Sequence, residues 1–385
     1  MKSAVTIFII LIAMSQGVLL AENERVEFSI WPSTDNQENP DIFGDIVVWQ
    51  QYISQYGDYD ILAADINNLG QAPFYNTNEV SDQTNPAVFE NYIVWQDLIT
   101  GDESSDWDIH IADISNPNVP DIYAVTDLPD NDEQNPAIHG NIVVWDDGLP
   151  GETKKNIYGA DITVLSSPRE FLVTGVNADQ RKPAVYRNTV VWQDFYAKNW
   201  DIYAADIWMQ NKPVEHPVSL IEYDQENPKI FGDTIVWAQN FLGDWNIYAA
   251  DVSDIKHPVI IPISVNNWDE KNPDIDGNII VWQDNRNKNW DIYAYNMTTR
   301  QEYQITKDSR DQTNPAISGR TIVWQDNRNG NSEIFGTILS EIEAAHCTQK
   351  LQGDINGDCK VNFDDYAIMA SQWLECNLTP PEACQ

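Results

Sequence analysis

Residues 311–339 read DQTNPAISGRTIVWQDNRNGNSEIFGTIL, and the number of times this phrase recurs decides the fold. Residues 269–297, DEKNPDIDGNIIVWQDNRNKNWDIYAYNM, repeat it closely, and five looser copies lie upstream. In each copy a tryptophan stands nine positions after a proline: Pro40/Trp49, Pro86/Trp95, Pro136/Trp145, Pro183/Trp192, Pro228/Trp237, Pro273/Trp282 and Pro315/Trp324. Successive prolines are 46, 50, 47, 45, 45 and 42 residues apart. A period near 45 made of short strands is the mark of a β-propeller, one blade per repeat.

Each unit carries four strand signals. A short segment after the proline, such as Pro136–Ile138, is expected innermost. A glycine turn (Gly44, Gly140, Gly232, Gly277, Gly319) leads to a continuous apolar run ending in tryptophan, which suits a strand buried on both faces. Each tryptophan should fill the gap between neighbouring blades. Residues 200–206, WDIYAAD, are the third strand, repeated at 60–65, 108–113, 156–161, 246–251 and 291–296. The fourth strand is weaker, as at 169–174 (REFLVT) and 302–306 (EYQIT). The seventh copy has no fourth strand after Leu339, whereas residues 25–30 (RVEFSI) precede the first copy as an orphan. The expected fold is all-β, a seven-bladed β-propeller of four-stranded blades over residues 22–340. The N-terminal strand completes the last blade and removes its open edge.

Residues 1–21 have the form of a secretory signal: Lys2, an apolar run over Ala4–Met14, and a small-residue end at Ala21. That run is too short for a comfortable membrane span and none follows, so a secreted or cell-surface location is expected, with the periplasm as the alternative. Net charge is −38, from 60 acids against 22 bases, a balance that repels nucleic acid and anionic lipid. All four cysteines, Cys347, Cys359, Cys376 and Cys384, fall in the last forty residues, a pattern of disulfides in a small terminal module with the pairing left open.

The repeat, for example 315–331 (PAISGRTIVWQDNRNGN) followed by Glu333-Ile334-Phe335, resembles the WD40-like, TolB-type propeller repeats of exported bacterial proteins. The resemblance implies the fold and hardly any activity. TolB propellers have six blades and a separate N-terminal domain, so their partners are not implied here.

On one propeller face the loops before each first strand carry an aspartate: Asp35, Asp82, Asp132, Asp179, Asp224, Asp269 and Asp311. The loops between second and third strands often begin with another: Asp97, Asp147, Asp194, Asp284 and Asp326. These predict a ring of carboxylates at the channel mouth, suited to a cation, a basic peptide or a glycan. The plainer expectation is that each aspartate ties down its own turn. Gln96–Trp107 and Asp146–Lys155 are the longer loops, which points to blades two and three. No nucleophile elbow, HExxH pair or phosphate loop is present, and the five histidines are scattered. Acids are too abundant to single out a glycosidase pair.

After a linker at 341–350, residues 351–385 form the terminal module. Side-chain oxygens fall at loop positions 1, 3, 5, 9 and 12 (Asp354, Asn356, Asp358, Asn362, Asp365), with the carbonyl of Lys360 at position 7. Such spacing wraps a twelve-residue loop around one Ca²⁺. Phe363, Tyr366, Ala370 and Trp373 then recur at helical spacing. Loop and helix together resemble one half of a type I dockerin, which carries two such halves and binds cohesins. The resemblance implies calcium binding, and a cohesin-like partner with a link to polysaccharide breakdown. Two functions follow as expectations. One is a non-catalytic binding propeller tethered by this tail; the other is a glycoside hydrolase or polysaccharide lyase carrying the same tail.

Overall fold

The computed structural model describes residues 25–77, 80–100, 105–117, 119–126, 131–148, 154–175, 178–196, 198–208 and 213–340. The signal segment, the cysteines, the calcium loop (Asp354, Asn356, Asp358, Lys360, Asn362, Asp365) and its helix lie outside the described residues.

Among the described residues, twenty-eight strands form seven blades, each an antiparallel meander of four. The first blade runs Gln37–Phe43, Ile46–Ile53, Asp58–Asp65, Tyr75–Asn76, and the next five follow in chain order. Blades two and three are also joined by one parallel bridge, Asp132 to Trp107. The last blade takes Gln312–Ser318, Thr321–Asp326 and Glu333–Ile338, and its fourth strand is Glu27–Ser29 from the N-terminal end.

Two glycines verify this closure from within the chain. In blade three Gly159 pairs with Phe171, and in blade seven Gly336 pairs with Phe28. A Cβ on Gly159 would lie 2.8 Å from the Phe171 ring, and one on Gly336 3.0 Å from the Phe28 ring. In both blades a fourth-strand phenylalanine fills the space that a third-strand alanine would need, so the N-terminal strand occupies a true fourth-strand position. Gly159→Ala is therefore expected to cost about 1–3 kcal/mol through overpacking, measurable by denaturant unfolding.

Seven apolar clusters hold the ring, one per blade interface. Trp237 packs with Ile235 and Ala250 of its own blade against Val191, Ile202 and Val218 of the blade before. Trp49 packs against Val323 and Ile334 of the last blade and on Ile30, which seals the circle. All seven tryptophans are at most 1 % exposed. The middle residue of each apolar run faces the other way, as Val48 does toward Val88, Ile93 and Trp95. That two-sided burial is why the second strands read as unbroken apolar runs.

The first strands differ from expectation. They begin about three residues before the proline, not after it, and the ladder skips at the Asn-Pro pair: Glu38 pairs with Gln50 and the next pair is Asp41 with Val48. The residue before proline sits in the left-handed region in every blade, at φ between 49° and 55°. Asparagine tolerates that conformation, and proline, with no N–H to give, is accommodated at a bulge.

Candidate functional site

The seven bulges face the central channel, a cavity of about 250 Å³ lined by the Asn-Pro pairs. Their asparagines form a hydrogen-bonded belt. Asn39 Nδ2 donates to Asn85 Oδ1 (3.1 Å), Asn227 to Asn272 (3.1 Å), Asn272 to Asn314 (2.7 Å) and Asn314 back to Asn39 (3.4 Å). In five blades a glutamine follows the tryptophan (Asp146 and Ala238 stand there in blades three and five), and it can tie the belt to two blades at once. Gln50 Oε1 accepts from Asn39 Nδ2 (3.1 Å) and from the Asn85 backbone N–H (3.0 Å). Gln96 and Gln283 do the same for their neighbours. These buried amides satisfy one another, as buried polar groups must.

The pattern breaks on one side. Lys182 replaces the asparagine of blade four and donates from Nζ to Asn227 Oδ1 at 2.7 Å. Asp146 replaces the glutamine of blade three and accepts from Asn135 Nδ2 (2.8 Å), the Lys182 N–H (3.0 Å) and Lys155 Nζ (2.8 Å). Burial holds the Lys182 ammonium below its ordinary pKa, although Glu226 and Asp146 favour the charge. One position past the proline, four blades carry alanine, whereas blades one, five and six carry Asp41, Lys229 and Asp274. Asp41 Oδ2 accepts the Val88 N–H (2.8 Å), and Asp274 Oδ2 accepts that of Ile317 (2.9 Å). Enclosure raises both carboxyls, Asp274 to about 6, against the pull of Lys229. The channel is therefore a narrow polar neck with two acids and two amines, most of whose bonds are already made within the protein.

The expected carboxylate ring is corrected in both its halves. Asp97, Asp147, Asp194, Asp284 and Asp326 are buried, because the second strands run on past the first three and end on the last two. Asp326 accepts from Trp324 Nε1 (2.8 Å) and pairs with Arg328; Asp284 pairs with Arg286. Asp97 meets His110 at 2.7 Å; burial pushes its pKa up, but the bond from His110 and others carry it below the usual range. In the other half, Asp82, Asp179, Asp224, Asp269 and Asp311 each accept a backbone N–H where a third strand begins: Tyr59, Lys155, Trp200, Trp245 and Trp290, at 3.0–3.2 Å. The plainer expectation is also corrected, because the carboxylate clasps the blade before it, not its own turn. At the ring closure Asn36, not Asp35, plays this part by accepting from Ser332 N–H (3.2 Å). Of the longer segments of blades two and three, the described parts are largely strand, and residues 101–104 and 149–153 lie outside the described residues. Tyr92–Thr100 pairs with Ser105–Asp113 out to Thr100 and Ser105, and blade three's second strand continues to Gly148.

One buried position carries charge in two blades. The first strand opens with a buried glutamine in five blades (Gln37, Gln83, Gln180, Gln225, Gln312), but with Glu133 in blade three and Glu270 in blade six. Glu270 has Arg286 Nη2 at 3.4 Å, which also holds Asp284, and it accepts from Ser264 and Asn266. Glu133 has no arginine. Burial, then the charges of Asp147 and Asp108, push it to about 9, and its Oε2 finds no hydrogen-bond partner. Asp147 is driven by burial to about 6. Aligning the seven repeats would have exposed this exception. Among the described residues no group of three or more His, Cys, Asp or Glu side chains has the geometry to hold a metal ion.

No family model matches the chain, and no curated protein matches it. Among solved structures, an oligogalacturonate lyase from Vibrio parahaemolyticus is similar at TM-score 0.60 and 11 % identity, over 84 % of this chain and 96 % of that one. A puromycin-hydrolysing peptidase from Mycobacterium tuberculosis is similar at TM-score 0.58 and 12 % identity, over 81 % of this chain and 56 % of the peptidase, so this chain spans little more than half its length. The propeller domain of the Trilobed protease from Pyrococcus furiosus, described as having an open velcro topology, matches at TM-score 0.58 and 12 % identity, over 79 % and 95 %. At such identities the likeness is one of fold, a β-propeller.

Proposed function

We propose that this chain is an exported, non-catalytic binding propeller, tethered through the calcium loop at Asp354–Asp365 to an extracellular assembly concerned with polysaccharide breakdown. The observation that carries the reading is the oxygen spacing of that loop, with side chains at positions 1, 3, 5, 9 and 12 ahead of apolar residues at helical spacing. The channel supports the non-catalytic half. Its asparagines and glutamines bond to one another and its aspartates to backbone N–H groups, which leaves the two faces as the surfaces for a ligand. The tail's partner is expected to be cohesin-like and held only with Ca²⁺ present.

A second reading is a polysaccharide-active enzyme, a hydrolase or lyase, on the same scaffold. It is favoured by the departures Lys182, Lys229, Asp41 and Asp274 in an otherwise repetitive neck, and by a fold match along nearly the whole length of an oligogalacturonate lyase. Incubation with plant and algal polysaccharides separates the two. New reducing ends, or unsaturated products absorbing in the ultraviolet, would establish the enzyme and end the non-catalytic reading. For the tail, chelation is expected to lower the melting of residues after Cys347 by calorimetry and to leave the propeller transition in place. One transition that shifts as a whole would refute independent modules.

A further inference from the structure

The face opposite the aspartate clasps holds a cavity of about 490 Å³ between blades three and four, lined by His139, Asn141, Asp161, Arg187, Asn188 and Trp208. Its volume is in the range of small-molecule sites, about 300–1,000 Å³. Three observations set it apart from the equivalent places between other blades.

The first is Arg187. It occupies the tight turn between first and second strands, where five blades use glycine, and it adopts the same left-handed backbone at φ 54°. A non-glycine residue held there costs of order 1 kcal/mol, so its side chain needs a reason. The guanidinium lies 5.4 Å from the Tyr186 ring centroid and pairs with no carboxylate among the described residues.

The second is His139. Its Nδ1 accepts the Arg187 backbone N–H at 3.2 Å, so in the neutral ring the proton is on Nε2. Burial, then the Arg187 charge, hold its pKa below the ordinary value, which keeps the ring neutral. The one acid in the wall, Asp161, is already engaged by Asn141 (2.9 Å), Thr163 (3.0 Å to the N–H) and Arg169 (3.2 Å). The unspent capacity of the cavity is thus mainly donor: five guanidinium N–H groups and an imidazole N–H. The third is Trp208, 74 % exposed at the rim.

From this combination we infer that the cavity takes one acidic sugar unit of a glycan, its carboxylate on Arg187 and its ring face on Trp208. A planar guanidinium matches a carboxylate in bidentate fashion, and an exposed indole suits the apolar face of a pyranose. The protein's overall negative field opposes a long polyanion, but at physiological ionic strength it is screened beyond about 8 Å, which leaves the local guanidinium in control. The inference rests on the proposed polysaccharide-binding function and names its ligand class.

Calorimetric titration in 0.15 M salt, with the full chain, compares oligogalacturonate, its methyl ester, a neutral β-glucan oligomer and an acidic peptide. Binding of oligogalacturonate is expected, with at least a tenfold loss on methyl esterification. Arg187→Gly restores the residue of five other blades, so the fold survives; it and Trp208→Ala are each expected to weaken binding tenfold or more with melting little changed. Equal binding of the ester, full binding by Arg187→Gly, or preference for the peptide overturns the acidic-sugar site. Binding of the neutral oligomer alone overturns it too, yet leaves the proposed function standing. If no polysaccharide binds, that function falls as well.

Discussion

Glu133→Gln is expected to stabilise the propeller by about 1–3 kcal/mol at pH 8, the usual cost of a buried polar group left unsatisfied. Five blades place glutamine here, so the replacement has the right shape and no charge. In the wild type Glu133 is 1 % exposed, beside Asp147 and Asp108, and titrates at about 9 through burial and then those two charges. Its ordinary value is 4.5, so between the two the folded protein keeps a proton that the unfolded chain releases. Stability from this group is complete below pH 4.5 and is lost as pH rises toward 9. Asp147 and Asp274, each raised by burial to about 6, lose theirs between 3.8 and 6, and Glu270, also raised by burial, between 4.5 and about 7. The four act in the same direction, so urea unfolding should find the wild-type propeller more stable at pH 5 than at pH 8. In Glu133→Gln that slope should flatten. A variant less stable than wild type at pH 8, or an unchanged slope, would mean that the carboxyl is ionised and satisfied in the folded state.

Starting the chain at Trp31 is expected to be the more damaging change. It removes Glu27–Ser29 from its ladder with Glu333–Ile338, exposing the backbone of that strand as a free edge. It also removes Ile30, 1 % exposed in the cluster around Trp49, and uncovers Gly336, over which Phe28 lies. Losing a buried isoleucine and most of a phenylalanine costs about 5 kcal/mol together, a large part of the stability of a typical domain. Arg328, which pairs with Glu27 at 2.6 Å, loses one of its two acids. The shortened protein should melt well below wild type and self-associate on size-exclusion chromatography. A monomer with the wild-type melting temperature would show that blade seven does not depend on its fourth strand.

Much of this architecture was legible in the repeat. Counting Pro-to-Trp pairs yields seven blades, and the misplaced phrase RVEFSI, aligned with REFLVT, places Phe28 where Phe171 lies; the register agrees, over Gly336 and Gly159. The apolar runs located the second strands, because two-sided burial leaves no other pattern, although the strands continue two to five residues past the tryptophan. The seven tryptophans fill the blade interfaces, as their spacing implied.

The role of the acids was not legible. A strand's length past its last apolar residue depends on what its partner supplies, and nothing around Asp284 or Asp326 indicates that an arginine two residues on will fold back and hold it. Those carboxylates were read as loop and proved to be core. Likewise five of the aspartates before the first strands bond to backbone N–H groups about 20–25 residues earlier, a contact made only when neighbouring blades meet.

The sequence by itself settled what local periodicity and repetition can encode: the class of fold, the blade count, the closing strand and the tryptophan packing. Only the tertiary structure decided which polar groups remain free. In a ring of near-identical units each polar side chain is one bond away from the next blade, and whether that bond forms depends on distances across an interface that no stretch of sequence contains. Arg187 illustrates the point, since its turn could be read from the chain but its lack of an acid could not.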